Sequence, residues 1–510
     1  MQRNSTFPAF AALTLLALVA TAQVPPAVTV TGGKIQGSTL KDGGAVFKGI
    51  PFAAPPVGDL RWREPQPVKP WTGTREATNF GARCMQGGTD VSEDCLYINV
   101  WTPEWPPKSR KPVMLWIHGG GNFAGASSEA IFDGQPLAKH GVVLVSANYR
   151  MGVFGFYAHP ELTAESKHHA SGNYGLMDQV AAMQWVRDNI ARFGGDPRNV
   201  TVFGESAGSL DINVLMTSPL AKGLYTRLIG ESGPVVAPPS LAEGEKKGLS
   251  VAASLKADSL KAMRAVPAAD LQKATGQGLS FLGPILGVVV DGWVLPKHPF
   301  EVFEAGQEHR VELLLGSNAR ELTRPFFPVE GLSQGIAAQF GPLAPRAREV
   351  YGVKNGQESA PPDPVFGSAM AQWATDAQFR CGTVAQLIWH SRAGNASYQY
   401  EFSRVPPGRE AVGAAHGSEI PYVFGTLSIA GRAANSPKYD STDGAVSAQM
   451  QQYWTNFAKT GNPSGGSLPQ WPKFEPVSRA YMDLTAQGPV VREGLRREAC
   501  DLFIENLKRK

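Results

Sequence analysis

Gly204-Glu205-Ser206-Ala207-Gly208 decides how this chain is read. It follows a β-like run, Asn199-Val200-Thr201-Val202-Phe203, and helix-compatible sequence begins after it at Ser209. G-x-S-x-G between a strand and a helix is the pattern of a nucleophile elbow. A serine on so sharp a turn sits in a strained backbone conformation that pushes its hydroxyl outward. The chain passes so close on either side that the positions two before and two after tolerate little beyond glycine. Gly204 and Gly208 meet that requirement. In a chain with 56 glycines the same five residues also arise as a plain turn, so the flanking sequence matters.

The flanking sequence alternates strands and helices. Cys95–Thr102, Lys111–His118 and Gly141–Tyr149 are apolar, strand-like runs. Asn173–Arg192 is a predicted helix, with Leu176, Val180, Met183 and Val186 at i, i+3/i+4 spacing. Gly194-Gly195-Asp196-Pro197 ends it, and a strand is expected from Val200 to Phe203. Leu228–Gly233 and Val311–Gly316 look like later strands, and Gln449–Lys459 and Arg496–Leu507 like late helices. This order predicts an α/β fold with a mainly parallel sheet covered on both faces. Apolar strand interiors fit such burial. The intervening segments, including a polar loop at Lys354–Pro364, resemble insertions over the sheet's C-terminal edge. Residues 23–510 are therefore expected to form a single domain.

At 43% hydrophobic and 18% charged residues the composition is that of a globular protein. The net charge is only +4 and no basic stripe is visible, which leaves nucleic-acid binding without support. Residues 1–22 read as a signal peptide: Arg3, then an apolar run Ala9–Ala20 with Thr14 its only polar member, then an Ala20-Thr21-Ala22 cleavage site. That run is too short for a comfortable membrane span. A secreted or periplasmic protein is expected, cleaved after Ala22. Cys84, Cys95, Cys381 and Cys500 are an even set, which in an exported chain suggests two disulfides in one of three pairings. None has zinc-like spacing.

A serine hydroxyl needs a base, and histidine oriented by a carboxylate supplies one near neutral pH. An elbow therefore predicts an acid and then a histidine further along the chain, and backbone N–H donors from an earlier glycine-rich loop. The loop is present: His118-Gly119-Gly120-Gly121 follows Leu115-Trp116-Ile117. Nine histidines compete for the base. His416 lies in a small-residue loop, Gly413-Ala414-Ala415-His416-Gly417-Ser418-Glu419, after a β-like run at Ser397–Phe402. Glu321 lies just past the Val311–Gly316 run. Spacing alone leaves both choices open, with Glu419 and Asp291 as competing acids.

The chain resembles the type-B carboxylesterases of the α/β-hydrolase group, which include cholinesterases, bile-salt-activated lipases and para-nitrobenzyl esterases. The resemblance covers nearly all of 28–505. It is densest at Glu93-Asp94-Cys95-Leu96, the glycine loop, Asn148-Tyr149-Arg150, Gly172-Asn173-Tyr174-Gly175, Phe193-Gly194-Gly195-Asp196-Pro197 and the elbow. It implies Ser206 as nucleophile, Glu321 as triad acid and His416 as general base, with the amides of Gly120, Gly121 and Ala207 as oxyanion hole. It implies a supporting role near the histidine for Glu205 and Ser232, disulfides Cys84–Cys95 and Cys381–Cys500, and a gorge over the site. It implies no metal and no organic cofactor. The expected reaction is hydrolysis of a small carboxylic ester through an acyl-enzyme. An amidase or lactonase using the same residues is the alternative, and a non-catalytic recognition protein a remoter one.

Three departures stand out. Arg320 precedes Glu321 where the family usually has Asp. Asn122 follows the glycines where the family often has Phe, which is expected to reshape the pocket rim. Residues 85–94 lack the Trp that faces choline in cholinesterases, so an uncharged ester is the expected substrate.

Overall fold

Strands buried on both faces organise the molecule. In Lys111–Ile117, Val113, Leu115 and Ile117 enter one hydrophobic core while Met114 and Trp116 enter another. Val143 and Val145 oppose Leu144 in the same way, and Leu313 and Leu315 oppose Leu314. A period of two with both faces apolar leaves a continuous apolar run in the sequence. The structure is a computed structural model describing residues 24–275, 287–326, 328–432 and 436–509. The proposed signal peptide lies outside these.

The main sheet has eleven strands. In chain order they are β1 Ser38–Thr39, β2 Ala45–Pro51, β3 Tyr97–Thr102, β4 Lys111–Ile117, β5 Val143–Ala147 and β6 Gly195–Glu205. There follow β7 Arg227–Glu231, β8 Glu312–Asn318, β9 Ser397–Phe402, β10 Ala480–Thr485 and β11 Gly488–Glu493. Their spatial order is β11-β10-β9-β8-β7-β6-β4-β5-β3-β2-β1. All pairs from β10 through β5 are parallel, and antiparallel strands finish both edges. Helices α1 Tyr174–Asn189, α2 Ala207–Leu215, α3 Cys381–Arg392, α4 Ser441–Thr460 and α5 Arg497–Leu507 are the longest coverings used below.

Three elements differ from the sequence-based expectation. Strand β6 begins at Gly195, and its ladder with β4 shifts register between Gly195 and Val200. Pro197 interrupts it there, having no N–H to donate. Helix α4 starts well before Gln449, because an Asp440/Asp443 capping box closes its first turn. The Lys354–Pro364 loop contributes to a small hairpin, Val353–Lys354 against Gln357–Glu358.

Two disulfides are formed. Cys84 bonds Cys95 across 11 residues, and Cys381 bonds Cys500 across 119. The second pins α5 to the first residue of α3, and both of its cysteines are fully buried. Closing so long a loop restricts the unfolded chain and contributes about 4–5 kcal/mol on the loop-entropy model. Cys381→Ser/Cys500→Ser should therefore lower the unfolding free energy by about that amount. Urea denaturation of both proteins at one pH measures it, and an unchanged midpoint would contradict it.

Candidate active site

The parallel strands end level, and the candidate residues follow those ends. Gly204 on β6 pairs with Ile117 of β4 and Gly230 of β7, and Glu231 of β7 pairs with Gly316 of β8. Ser206 is the residue after β6, and Gly119–Gly121 come just beyond β4. Glu321 comes just beyond β8, and His416 lies on the loop after β9. Ser206 has φ 52 and ψ −122, and its N–H donates to Glu231 O at 2.9 Å. The turn leaves no room for side chains around it. A Cβ at Gly204 would lie 2.7 Å from Ile117 O, and one at Gly208 only 2.1 Å from the same oxygen.

Three side chains sequence alone could not join are in line. His416 Nε2 is 2.8 Å from Ser206 Oγ, and its Nδ1 is 2.8 Å from Glu321 Oε2. Glu321 is itself held, its Oε1 accepting the Asn318 N–H at 2.7 Å. The His416 N–H donates to Glu321 O at 3.0 Å, so backbone and side chain of one residue fix both ends of the histidine. Glu205 Oε1 stands 3.3 Å from His416 Nε2. Rings of Phe379 and Phe326 flank the imidazole, with centroids at 4.7 Å and 6.1 Å. In such a chain Nε2 can take a hydroxyl proton while the carboxylate stabilises the imidazolium. Among the competing acids, Asp291 instead caps its own loop, accepting from Trp293 and Leu295 N–H. Glu419 bonds Ser232 and Asn318.

The glycine loop borders the serine. Gly120 has φ 102, and a Cβ there would lie 2.0 Å from Ala124 O. Gly119 is so close to the elbow that its Cβ would meet Glu205 Oε2 at 2.6 Å and Ser206 Cβ at 3.0 Å. Ala207, directly after the serine, is the first residue of α2. At its far end the loop is held by Gln86 from the Cys84–Cys95 loop, which exchanges two hydrogen bonds with Gly125, at 3.0 Å and 2.7 Å.

Buried carboxylates crowd the histidine. Ser232, with φ 52, directs its Oγ to Glu419 Oε1 at 3.3 Å, and Asn318 Nδ2 donates to Glu419 Oε2 at 2.5 Å. Trp454 Nε1 donates to Glu231 Oε1 at 2.7 Å. Burial lifts Glu205 to about 7 and Glu419 to about 8, with neighbouring negative charge adding to both. Burial, with Glu419 beside it, raises Glu231 well above the carboxylate range. Burial pulls His416 down, but the fields of Glu205, Glu321 and Glu419 outweigh it and raise the imidazole to about 10. Protonation of Glu205 removes the strongest of those fields.

The two local departures serve support. The Arg320 guanidinium donates to Ala411 O and Pro364 O, both at 3.2 Å, which ties the histidine loop to a neighbouring one. Asn122, expected at the rim, is buried and bonds Asp211. Arg380 underpins the acid loop, donating to Ala319 O at 2.8 Å and Glu401 Oε1 at 2.7 Å. Phe379, Glu231, Asn318 and Arg380 have no sequence signal linking them to the site. Of the aromatics in the inserted segments, Trp373 is buried in a separate core and Phe366 packs against Arg380, while Phe281 and Phe327 lie outside the described residues. Among the described residues no cluster of His, Cys, Asp or Glu is arranged to hold a metal ion.

A mainly parallel sheet with an elbow serine and a loop histidine beyond its C-terminal edge defines an α/β-hydrolase. The chain belongs to the carboxylesterase family, whose sequence model matches residues 24–334 and 343–503, and it is an ester hydrolase. It is 37% identical over 453 residues to a fumonisin B1 esterase of Sphingopyxis macrogoltabida, covering 84% of this chain and 81% of that protein. It is 34% identical to carboxylesterase 1D of Rattus norvegicus over 88% of each. A solved PNB esterase is 33% identical, with a TM-score of 0.81 over 94% of this chain and 99% of that one. A solved Geobacillus stearothermophilus carboxylesterase is likewise 33% identical, with a TM-score of 0.80 over 93% and 99%.

Glu205→Gln removes the strongest field raising His416. Its imidazole pKa should then fall toward 6.5, the ordinary value, as followed by NMR titration. An unmoved titration would place the cause elsewhere.

Proposed function

We propose that the chain is an exported serine esterase working through an acyl-enzyme, with Ser206 as nucleophile, His416 as general base and Glu321 as the orienting acid. The supporting observation is the single imidazole bridging Ser206 Oγ and Glu321 Oε2 at 2.8 Å on each side. His416 Nε2 takes the hydroxyl proton as Oγ attacks the ester carbonyl. The oxyanion is met by the amides of Gly120, Gly121 and Ala207, each well-placed donor contributing about 3–4 kcal/mol. His416 returns its proton to the leaving alkoxide, which departs as the alcohol. Water, deprotonated by the same nitrogen, attacks the acyl group, and the acid leaves as Ser206 recovers its proton. Glu321 holds Nδ1–H and stabilises the imidazolium throughout. Glu205 and Ser232 act around the histidine rather than on substrate. The Phe326 and Phe379 rings beside His416 suit an uncharged small-molecule ester. Export is supported by the two disulfides and the N-terminal sequence. Among the described residues no helix is long and apolar enough to cross a membrane.

Ser206→Ala should reduce turnover of a para-nitrophenyl ester by about 10⁴–10⁶-fold. It should also abolish labelling by a fluorophosphonate probe. Full activity in the folded variant would sink the nucleophile assignment. Only neutral imidazole can accept the serine proton, and the His416 pKa is raised, so activity is lost as pH falls through that raised value. The acid limb of kcat/KM should therefore lie above 6.5, the ordinary imidazole value. A flat profile from about pH 5 to 8 would count against His416 as base.

A further inference from the structure

Asn122, the residue after Gly121, has φ 62, a left-handed conformation that asparagine adopts more readily than most residues. Its buried side chain is bonded at both ends. Nδ2 donates to Asp211 Oδ1 at 2.9 Å, and Oδ1 accepts from the Tyr149 hydroxyl at 3.1 Å. The same hydroxyl lies 2.9 Å from His118 O, at the entrance to the glycine loop. The Asn122 carbonyl accepts the Gly152 N–H at 2.6 Å. Asp211 is fully buried and takes a second bond from Gln179 Nε2 of α1 at 2.6 Å.

The placement of this pair matters more than its energy. Asp211 lies one turn along α2 from Ala207, and Asn122 lies directly after Gly120 and Gly121. Their hydrogen bond joins the two elements that carry the oxyanion-hole amides. Both side chains bonded to Asp211 are neutral amides, and burial lifts its carboxyl to about 7 in spite of them. A carboxyl buried against neutral partners is costly, and an apolar pair would fill the same space at lower cost. We propose that Asp211 is a positioning residue for the oxyanion hole, setting through Asn122 where the Gly120 and Gly121 amides stand relative to that of Ala207. This rests on the serine-esterase reading above. A misplacement of about 1 Å in such a site can cost about 10²-fold in rate.

Four variants test it. Asn122→Gly keeps the φ 62 backbone accessible but deletes the strut, separating backbone conformation from the side-chain bond. Asn122→Gly and Asp211→Ala should each lower kcat by about 10–100-fold with KM changed less than about threefold. The double variant should lose no more than either single one, because both remove the same contact. Asp211→Asn should keep most of the activity, since its carbonyl still accepts from Asn122 and its amide can pair with Gln179. Affinity for a trifluoromethyl ketone, whose adduct carries the oxyanion, should fall in step with kcat. Wild-type kcat in Asn122→Gly, or additive losses in the double variant, would overturn the proposal. Thermal melting identifies any variant that fails to fold. If Asp211→Ala is one, Asn122→Gly against Asp211→Asn decides the question. Should Ser206→Ala in the unaltered background keep full activity, the serine-esterase reading fails instead, a distinct result.

Discussion

The contact between the elbow and the end of β4 is the constraint on which the rest depends. Ile117 O lies 2.7 Å from where a Cβ of Gly204 would stand and 2.1 Å from one at Gly208, both too close for a side chain. That contact forces β6 to turn into α2 within one residue, with Ser206 at φ 52. A left-handed serine costs of order 1–3 kcal/mol, and the surrounding sheet has to impose it. The imposition is specific: the Ser206 N–H is held by Glu231 O on the neighbouring strand. The same crowding sets the glycine loop against Ser206, since it leaves β4 at the point of contact.

Around this rigid turn the histidine is held from its acid side. Glu321 accepts from His416 Nδ1 and from its backbone N–H, and is itself fixed by Asn318. Arg320 and Arg380 tie down the loops on either side through carbonyl oxygens rather than through the reacting groups. The carboxylates Glu205, Glu231 and Glu419 are the electrostatic counterpart of this frame. All three are buried, and burial raises each of them, in Glu205 against the lowering field of the adjacent His416. The proton on His416 is thus governed by a cluster rather than by one partner.

Much of this was legible from local pattern. The elbow, the glycine loop, the strands feeding them and the helix at Asn173–Arg192 each obey a short-range rule of turn geometry or periodicity, and the structure contains them. Boundaries were less legible where a cap or a bulge overrode the apolar pattern, as at Asp440 and Pro197. The surroundings of His416 were the least legible. Phe379 and Arg380 sit on a short π-helical stretch, Asp376–Arg380, whose hydrogen-bond spacing leaves no trace in residue type.

Residue order was enough to specify the α/β alternation, the elbow serine and the candidates for its base, because those follow from backbone sterics and the period of two or 3.6 in apolar residues. It could not pair Ser206 with His416 210 residues away, nor choose Glu321 over Glu419. Those choices depend on which strand ends lie side by side. Sheet order brings the ends of β6, β8 and β9 to one edge, where His416 lies within hydrogen-bond distance of both Ser206 and Glu321. The strut between Asn122 and Asp211 is likewise invisible in sequence, because its members are 89 residues apart and meet only when the glycine loop folds down on α2.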